Sequence, residues 1–141
     1  LEEFRIPIIV IINKIDIAEN PNRPVHPIIK YVNGSSADLK LVDDLLKDRP
    51  DEKRLIILDS DHRKPHVLSE LNLFSSYATV GSYIIVEDTN INDHPVYPKF
   101  GEGPYEAVEE FLDNNKNFVI DETKEKFLLT FNPRGYLKKI K

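Results

Sequence analysis

The sequence predicts an α/β domain built on a doubly wound, mostly parallel sheet that closes with a C-terminal antiparallel hairpin. Three observations carry that reading. First, short apolar and largely β-branched runs stop abruptly at carboxylates, as in Leu55-Ile56-Ile57-Leu58 before Asp59 and Tyr83-Ile84-Ile85-Val86 before Glu87. Runs of this kind read as strands buried on both faces, which belong in parallel sheets. Second, a segment with helical spacing of apolar residues lies between these two runs, making a strand, helix, strand unit whose crossover is right-handed. Third, at 141 residues the chain has the length of one domain, residues 1–141, with room for a single core.

Taken in order, residues 6–12 form a strand by pattern and lead into Asn13-Lys14-Ile15-Asp16. The proline- and asparagine-rich residues 20–27 are loop. Residues 28–32 read as a second strand that stops at Asn33-Gly34. Ser35 or Ser36 can cap the next helix, whose apolar face is Leu39, Val42, Leu45 and Leu46 and which ends before Pro50. After the strand at 55–59, Pro65 suits the first turn of a helix that turns Val67, Leu68, Leu71 and Phe74 to the core. The strand after Gly81 ends at Glu87-Asp88. Residues 90–103 are a long loop carrying Tyr97 and Phe100, of the length that lids and binding loops have. Pro104 opens a last helix with Val108, Phe111 and Leu112 inward. Residues 118–120 and 127–131 are expected to pair as a hairpin around the polar turn 121–126. After the turn Asn132-Pro133-Arg134-Gly135, residues 136–140 are expected to add a short edge strand.

Composition removes several function classes. Net charge is −5 and no lysine/arginine cluster offsets it, which argues against a nucleic-acid groove. With no cysteine there is no disulfide scaffold, thiolate zinc site or cysteine nucleophile. The longest apolar run is too short to span a bilayer and no signal peptide is evident, so the expectation is a cytoplasmic protein. The chain lacks methionine altogether and opens almost directly on a core-type strand, as expected of a fragment whose upstream part is missing.

The chemistry is concentrated at two strand ends. Asp59, Asp61, Glu87 and Asp88 follow neighbouring strands, so they converge on the carboxyl edge where open α/β sheets keep their ligand sites. Grouped carboxylates repel one another unless a cation neutralises them, and hard oxygen ligands suit Mg²⁺. Either Asp59 or Asp61 can reach a shared ion with the Glu87-Asp88 pair. Among nearby bases His62 is the first candidate, because imidazole titrates near neutrality, and Lys64 the second. His26, His66 and His94 are read as structural.

Two resemblances bear on function. Asn13-Lys14-Ile15-Asp16 after an apolar strand looks like the Asn-Lys-x-Asp guanine-recognition element of GTPases, and Ser36-Ala37 like the serine-alanine element that follows it. That match is short, and the phosphate-binding G-x-x-x-x-G-K-[ST] loop it requires is not present. The other runs from Asp16 to the C-terminus. It comprises Ile15-Asp16-Ile17, Arg23-Pro24-x-His26-Pro27, Gly34-Ser35-Ser36, Leu58-Asp59-Ser60-Asp61-His62, Gly81-Ser82-Tyr83, Val86-Glu87-Asp88-Thr89, and Phe127 to Pro133 with Gly135-Tyr136-Leu137. These motifs, in this order, resemble the cephalosporin hydroxylase / rhamnosyl O-methyltransferase family.

That resemblance implies a Rossmann-like, class I S-adenosylmethionine (SAM)-dependent O-methyltransferase domain assisted by Mg²⁺. The acceptor would be a small molecule or glycolipid hydroxyl, on a sugar or a secondary metabolite. Asp16 would hold the SAM ribose hydroxyls, Gly34, Ser35 and Ser36 would lie beside the adenine, and Asp59 would border the cofactor as well as the metal. The metal ligands would come from Asp59, Asp61, Glu87 and Asp88, with His62 or Lys64 as base. The family's first strand and glycine-rich turn would precede residue 1, leaving two unpaired sheet edges. The alternative expectation is a non-catalytic remnant or binding module of the same fold. The resemblance leaves the acceptor open, and a homo-oligomer is equally allowed.

Overall fold

The computed structural model describes residues 8–12, 32, 34–46, 53–126 and 130–141. The Asn13-Lys14-Ile15-Asp16 element, the loop at 20–27, the expected strand at 28–32 apart from Val32, and residues 127–129 of the expected hairpin lie outside the described residues. The elements are β1 (Ile8–Ile12), α1 (Leu39–Leu46), β2 (Leu55–Asp59), α2 (Lys64–Ser75), β3 (Tyr83–Val86), α3 (Pro104–Asn114), β4 (Phe118–Ile120) and β5 (Tyr136–Lys139), with a 3-10 turn at Glu122–Lys124.

The sheet has five strands in the order β1-β2-β3-β5-β4. β1, β2 and β3 run parallel, with Ile11 opposite Leu58 and Leu58 opposite Val86. β5 is antiparallel to both β3 and β4. The α/β class and mixed pairing expected from the alternating pattern are therefore present. One face of the sheet is sealed: Ile56, Leu58, Ile84, Val86 and Leu137 are buried in one cluster with Val42 and Leu46 of α1, Val67, Leu71 and Phe74 of α2, and Val108 and Phe111 of α3. Leu55, Ile57, Tyr83 and Ile85, alternating with the sealed residues, are half-buried.

Five expectations are corrected. Tyr136–Lys139 is an interior strand, between β3 and β4. It was expected at an edge, but the Lys139 ammonium donates to the carbonyls of Ser75 (2.8 Å) and Ala78 (2.9 Å) at the C-terminal end of α2, where a cation offsets unpaired carbonyls. β4 accordingly pairs with β5, while Thr130 and Phe131 are not in a strand and Phe131 is exposed. The edge of β2 expected to be open is paired with β1. Finally, the cap of α1 is Asp38, whose Oδ1 accepts from the amides of Lys40 (3.0 Å) and Leu41 (3.2 Å). Ser35 instead accepts from Ala37 N, and Ser36 is buried. Leu39, expected on the apolar face, sits in the first helical turn and is 62% exposed.

The two remaining helices follow their sequence signals. Pro65 and Pro104 lie in the first turns of α2 and α3, where the missing N–H costs nothing. The loop before α3 is tied down by that helix's own first turn. Glu106 accepts from Gly103 N (2.7 Å) and Asn92 Nδ2 (2.8 Å) and faces His94 Nε2 at 2.9 Å, while Asn92 Oδ1 accepts from Gly101 N. His94 stacks on Tyr105, their ring centroids 3.6 Å apart.

Burial alone would raise the Glu106 pKa, but the hydrogen bonds from Gly103, His94 and Asn92 outweigh it and bring the carboxyl down to about 2. A folded-state value below the ordinary 4.5 means that this carboxylate's stabilisation is complete above pH 4.5 and is lost as pH falls towards about 2. Glu106→Gln is therefore expected to be less stable than the wild type by roughly 1–3 kcal/mol at neutral pH. The gap should close as the pH is lowered. Urea unfolding along a pH series measures it, and a gap that persists undiminished in acid would contradict the assignment.

Candidate metal and active site

The site is assembled by one pairing. Because β2 and β3 are parallel and in register at Leu58 and Val86, their next residues, Asp59 and Glu87, emerge side by side, and Glu87 N donates to Leu58 O (3.0 Å). Asp59 ends β2, and the chain turns through Ser60 and Asp61 to His62 before entering α2. After Glu87, Asp88 takes a left-handed backbone conformation (φ 54°), which aspartate tolerates better than most residues. These turns bring Asp59, His62 and Asp88 together, with one ligand-capable atom from each lying within 4.8 Å of the others. His62 Nε2 is 3.1 Å from Asp88 Oδ2 and 3.6 Å from Asp59 Oδ1.

The chemistry of this trio fits a cation. His62 Nε2 is buried and makes no hydrogen bond, although it faces two carboxylate oxygens. The Asp59 and Asp88 oxygens lie within 4.8 Å of each other, near the roughly 4.2 Å that two donors to one octahedral Mg²⁺ span at most, and His62 Nε2 stands beside both. Asp59 and Asp88 supply the hard oxygens that Mg²⁺ or Mn²⁺ takes, and the imidazole admits softer divalent ions. No other group of three or more such side chains converges among the described residues.

The other expected site residues are placed as follows. Asp61 turns away from the trio: its Oδ1 accepts from Arg63 N (3.0 Å) and lies 3.7 Å from Arg63 Nε. Glu87 directs Oε2 to Asn132 Nδ2 (2.8 Å). Lys64 is held between Glu102 (2.9 Å) and Glu110 (3.1 Å), tying the start of α2 to the α3 region. Those hydrogen bonds raise its pKa above the ordinary lysine value, which makes it a poorer proton acceptor at neutrality. Gly34 and Ser35 are exposed in the loop before α1, Gly34 with φ 151°. Ser36 is buried and donates to Glu70. Asp16 lies outside the described residues.

Sequence reasoning missed two residues that hold the site. Asn132, 6% exposed, accepts Asp88 N–H on Oδ1 (2.9 Å) while its Nδ2 serves Glu87, so one amide fixes both acidic residues. Thr89 reinforces the join by donating to Pro133 O (2.7 Å). The sequence signalled a turn at Asn132-Pro133, and only the β3–β5 pairing brings that turn to the acidic segment. The second is Glu70, treated below. Asn132→Ala leaves Asp88 N–H without its acceptor and Glu87 without its donor. It is expected to cost about 1–3 kcal/mol in chemical denaturation, and a change within a few tenths would show that Asn132 does not hold the segment.

Comparison with known proteins supplies the family. The family model described as Rhamnosyl O-methyltransferase/CmcI matches residues 4–140. Proteins named rhamnosyl O-methyltransferase from Mycobacterium tuberculosis and Mycobacterium bovis are each 41% identical over 124 residues, covering 85% of this chain and 51% of the relative. One of the same name from Mycobacterium leprae is 37% identical over 131 residues, covering 87% of this chain and 56% of the relative. The chain thus spans about half the length of the curated relatives it matches. No solved structure matches it. With a family match that runs from before β1 to the end of β5, the chain belongs to the rhamnosyl O-methyltransferase/CmcI family.

Proposed function

We propose that this chain contributes the acceptor and metal side of a SAM-dependent, divalent-metal-assisted O-methyltransferase whose acceptor is a sugar hydroxyl, a rhamnosyl group of a glycolipid being the first to try. The observation that carries it is the convergence of Asp59, His62 and Asp88 at the carboxyl edge of two parallel strands. Family membership and the relatives' name supply the reaction class. The order β1-β2-β3-β5-β4, with an antiparallel strand let into a parallel sheet, suits a Rossmann-like methyltransferase fold.

In this reading Mg²⁺ supplies a Lewis acid that lowers the acceptor hydroxyl's pKa, and SAM supplies a methyl group already activated on sulfonium. Asp59 and Asp88 would hold the metal, with Asp61 and Glu87 the outer carboxylates that keep the edge negative. Asn132 fixes Glu87 and the Asp88 amide, so those two residues are oriented before substrate arrives. His62 Nε2 would accept the proton of the acceptor hydroxyl, and Asp88 Oδ2, 3.1 Å away, would balance the charge that the imidazole gains. Lys64, engaged by two carboxylates, is left to hold α2 and α3 together. Asp16 would hold the SAM ribose, and Gly34, Ser35 and Ser36 the adenine side.

The test is transfer of a labelled methyl group from SAM to a rhamnosylated glycolipid, with GTP binding as a control for the guanine-type element. Transfer should require a divalent cation and stop with EDTA. Asp88→Asn and His62→Ala should each lower kcat/KM by about 100-fold or more. Transfer indifferent to EDTA and to both substitutions would contradict the metal-assisted reading. A folded protein that binds no SAM would favour a non-catalytic module of the same fold.

A further inference from the structure

We propose that Glu70 is a positioning residue that fastens the SAM-side loop and the metal-side loop to one carboxylate oxygen, and so couples binding of SAM to binding of the metal. The inference rests on the function proposed above. Glu70 occupies the core stripe of α2, between Val67, Leu71 and Phe74, and is 1% exposed. An acid there is costly, and an apolar residue of similar size would suit the packing better. Its contacts explain why an acid stands in that stripe. Oε1 accepts from Ser36 Oγ, in the loop before α1, and from Ser60 Oγ (2.7 Å), the residue directly after Asp59. His66 Nε2, one turn earlier on α2, lies 3.4 Å from the same oxygen and 3.3 Å from Ser36 Oγ.

The contacts are lopsided. Both hydroxyls meet Oε1, while Oε2 is buried with no hydrogen-bond partner. A carboxylate serving only fold stability would be expected to satisfy both oxygens. Nor is this a nucleophilic triad. One imidazole nitrogen faces both Ser36 and Glu70, whereas a relay needs the serine and the acid on opposite ring nitrogens. What the arrangement can do is fix the distance between two loops that no strand pairing joins among the described residues. If Ser36 shifts when the methyl donor binds, Ser60 and the neighbouring Asp59 must respond, because both hydroxyls share one acceptor atom.

Calorimetric titration of SAM, with and without Mg²⁺, into the wild type, Glu70→Gln and Glu70→Met tests this, alongside thermal melts. Wild-type affinity for SAM should rise severalfold with Mg²⁺. In Glu70→Met it should fall about 10- to 100-fold and lose the Mg²⁺ enhancement, while the melting temperature holds or rises. Glu70→Gln, which keeps an acceptor oxygen, should stay within about threefold of wild type. Should Glu70→Met not fold, the Ser36→Ala/Ser60→Ala double variant replaces it with the same expected loss of enhancement. A folded Glu70→Met or double variant that keeps affinity and enhancement would overturn the positioning role and leave the proposed function standing. So would Glu70→Gln as impaired as Glu70→Met. Absence of SAM binding by the wild type would instead overturn the function, and this inference with it.

Discussion

The parallel pairing of β2 with β3 is the constraint on which the site depends. Strand ends carry their side chains wherever the register sends them, and here the Leu58–Val86 register puts Asp59 beside Glu87 at the same sheet edge. A shift of one residue would turn Ile56, Leu58, Ile84 and Val86 out of the sealed face, so the core that fixes the register also fixes the carboxylates. The electrostatic cost of gathering Asp59, Asp88 and His62 at that edge is thus offset by apolar burial along the same strands.

Around that edge, three fastenings limit how the loops move. Asn132 rivets the β5 side to Glu87 and Asp88, Glu70 joins the Ser36 and Ser60 turns, and Glu106 ties the loop at 90–103 to α3. All three use a polar side chain, mostly buried, to hold backbone or hydroxyl groups. Such fastenings are rigid only while every partner is present, and for that reason single substitutions should be felt at a distance. Lys64 adds a fourth link between α2 and the α3 region, through Glu102 and Glu110.

Much of this was legible in the sequence, because it is local. Apolar runs ending in acids gave β2 and β3, prolines opened α2 and α3, and helical spacing placed Val67, Leu71, Phe74, Val108 and Phe111 in the core. What escaped depends on pairing between distant segments. β5 read as an edge strand, because nothing local shows that β4 pairs on its far side or that the Lys139 amine ends on the carbonyls of Ser75 and Ala78. Asn132 read only as a turn. Glu70 interrupts an apolar stripe at core spacing, which is a local signal, yet its serine partners are not legible from the helix alone. The choice between Asp59 and Asp61 depended on which way a short turn points, and Arg63 turns Asp61 away.

The proposed function requires a metal that joins Asp59 to Asp88. Crystals of the protein grown with Mn²⁺ and SAM, measured at the manganese absorption edge, examine that claim most directly. The account predicts one strong anomalous peak between the Asp59 and Asp88 carboxylates with His62 beside it. A peak seated on Asp61 or Glu87 instead, or no peak in crystals that hold SAM, would contradict it.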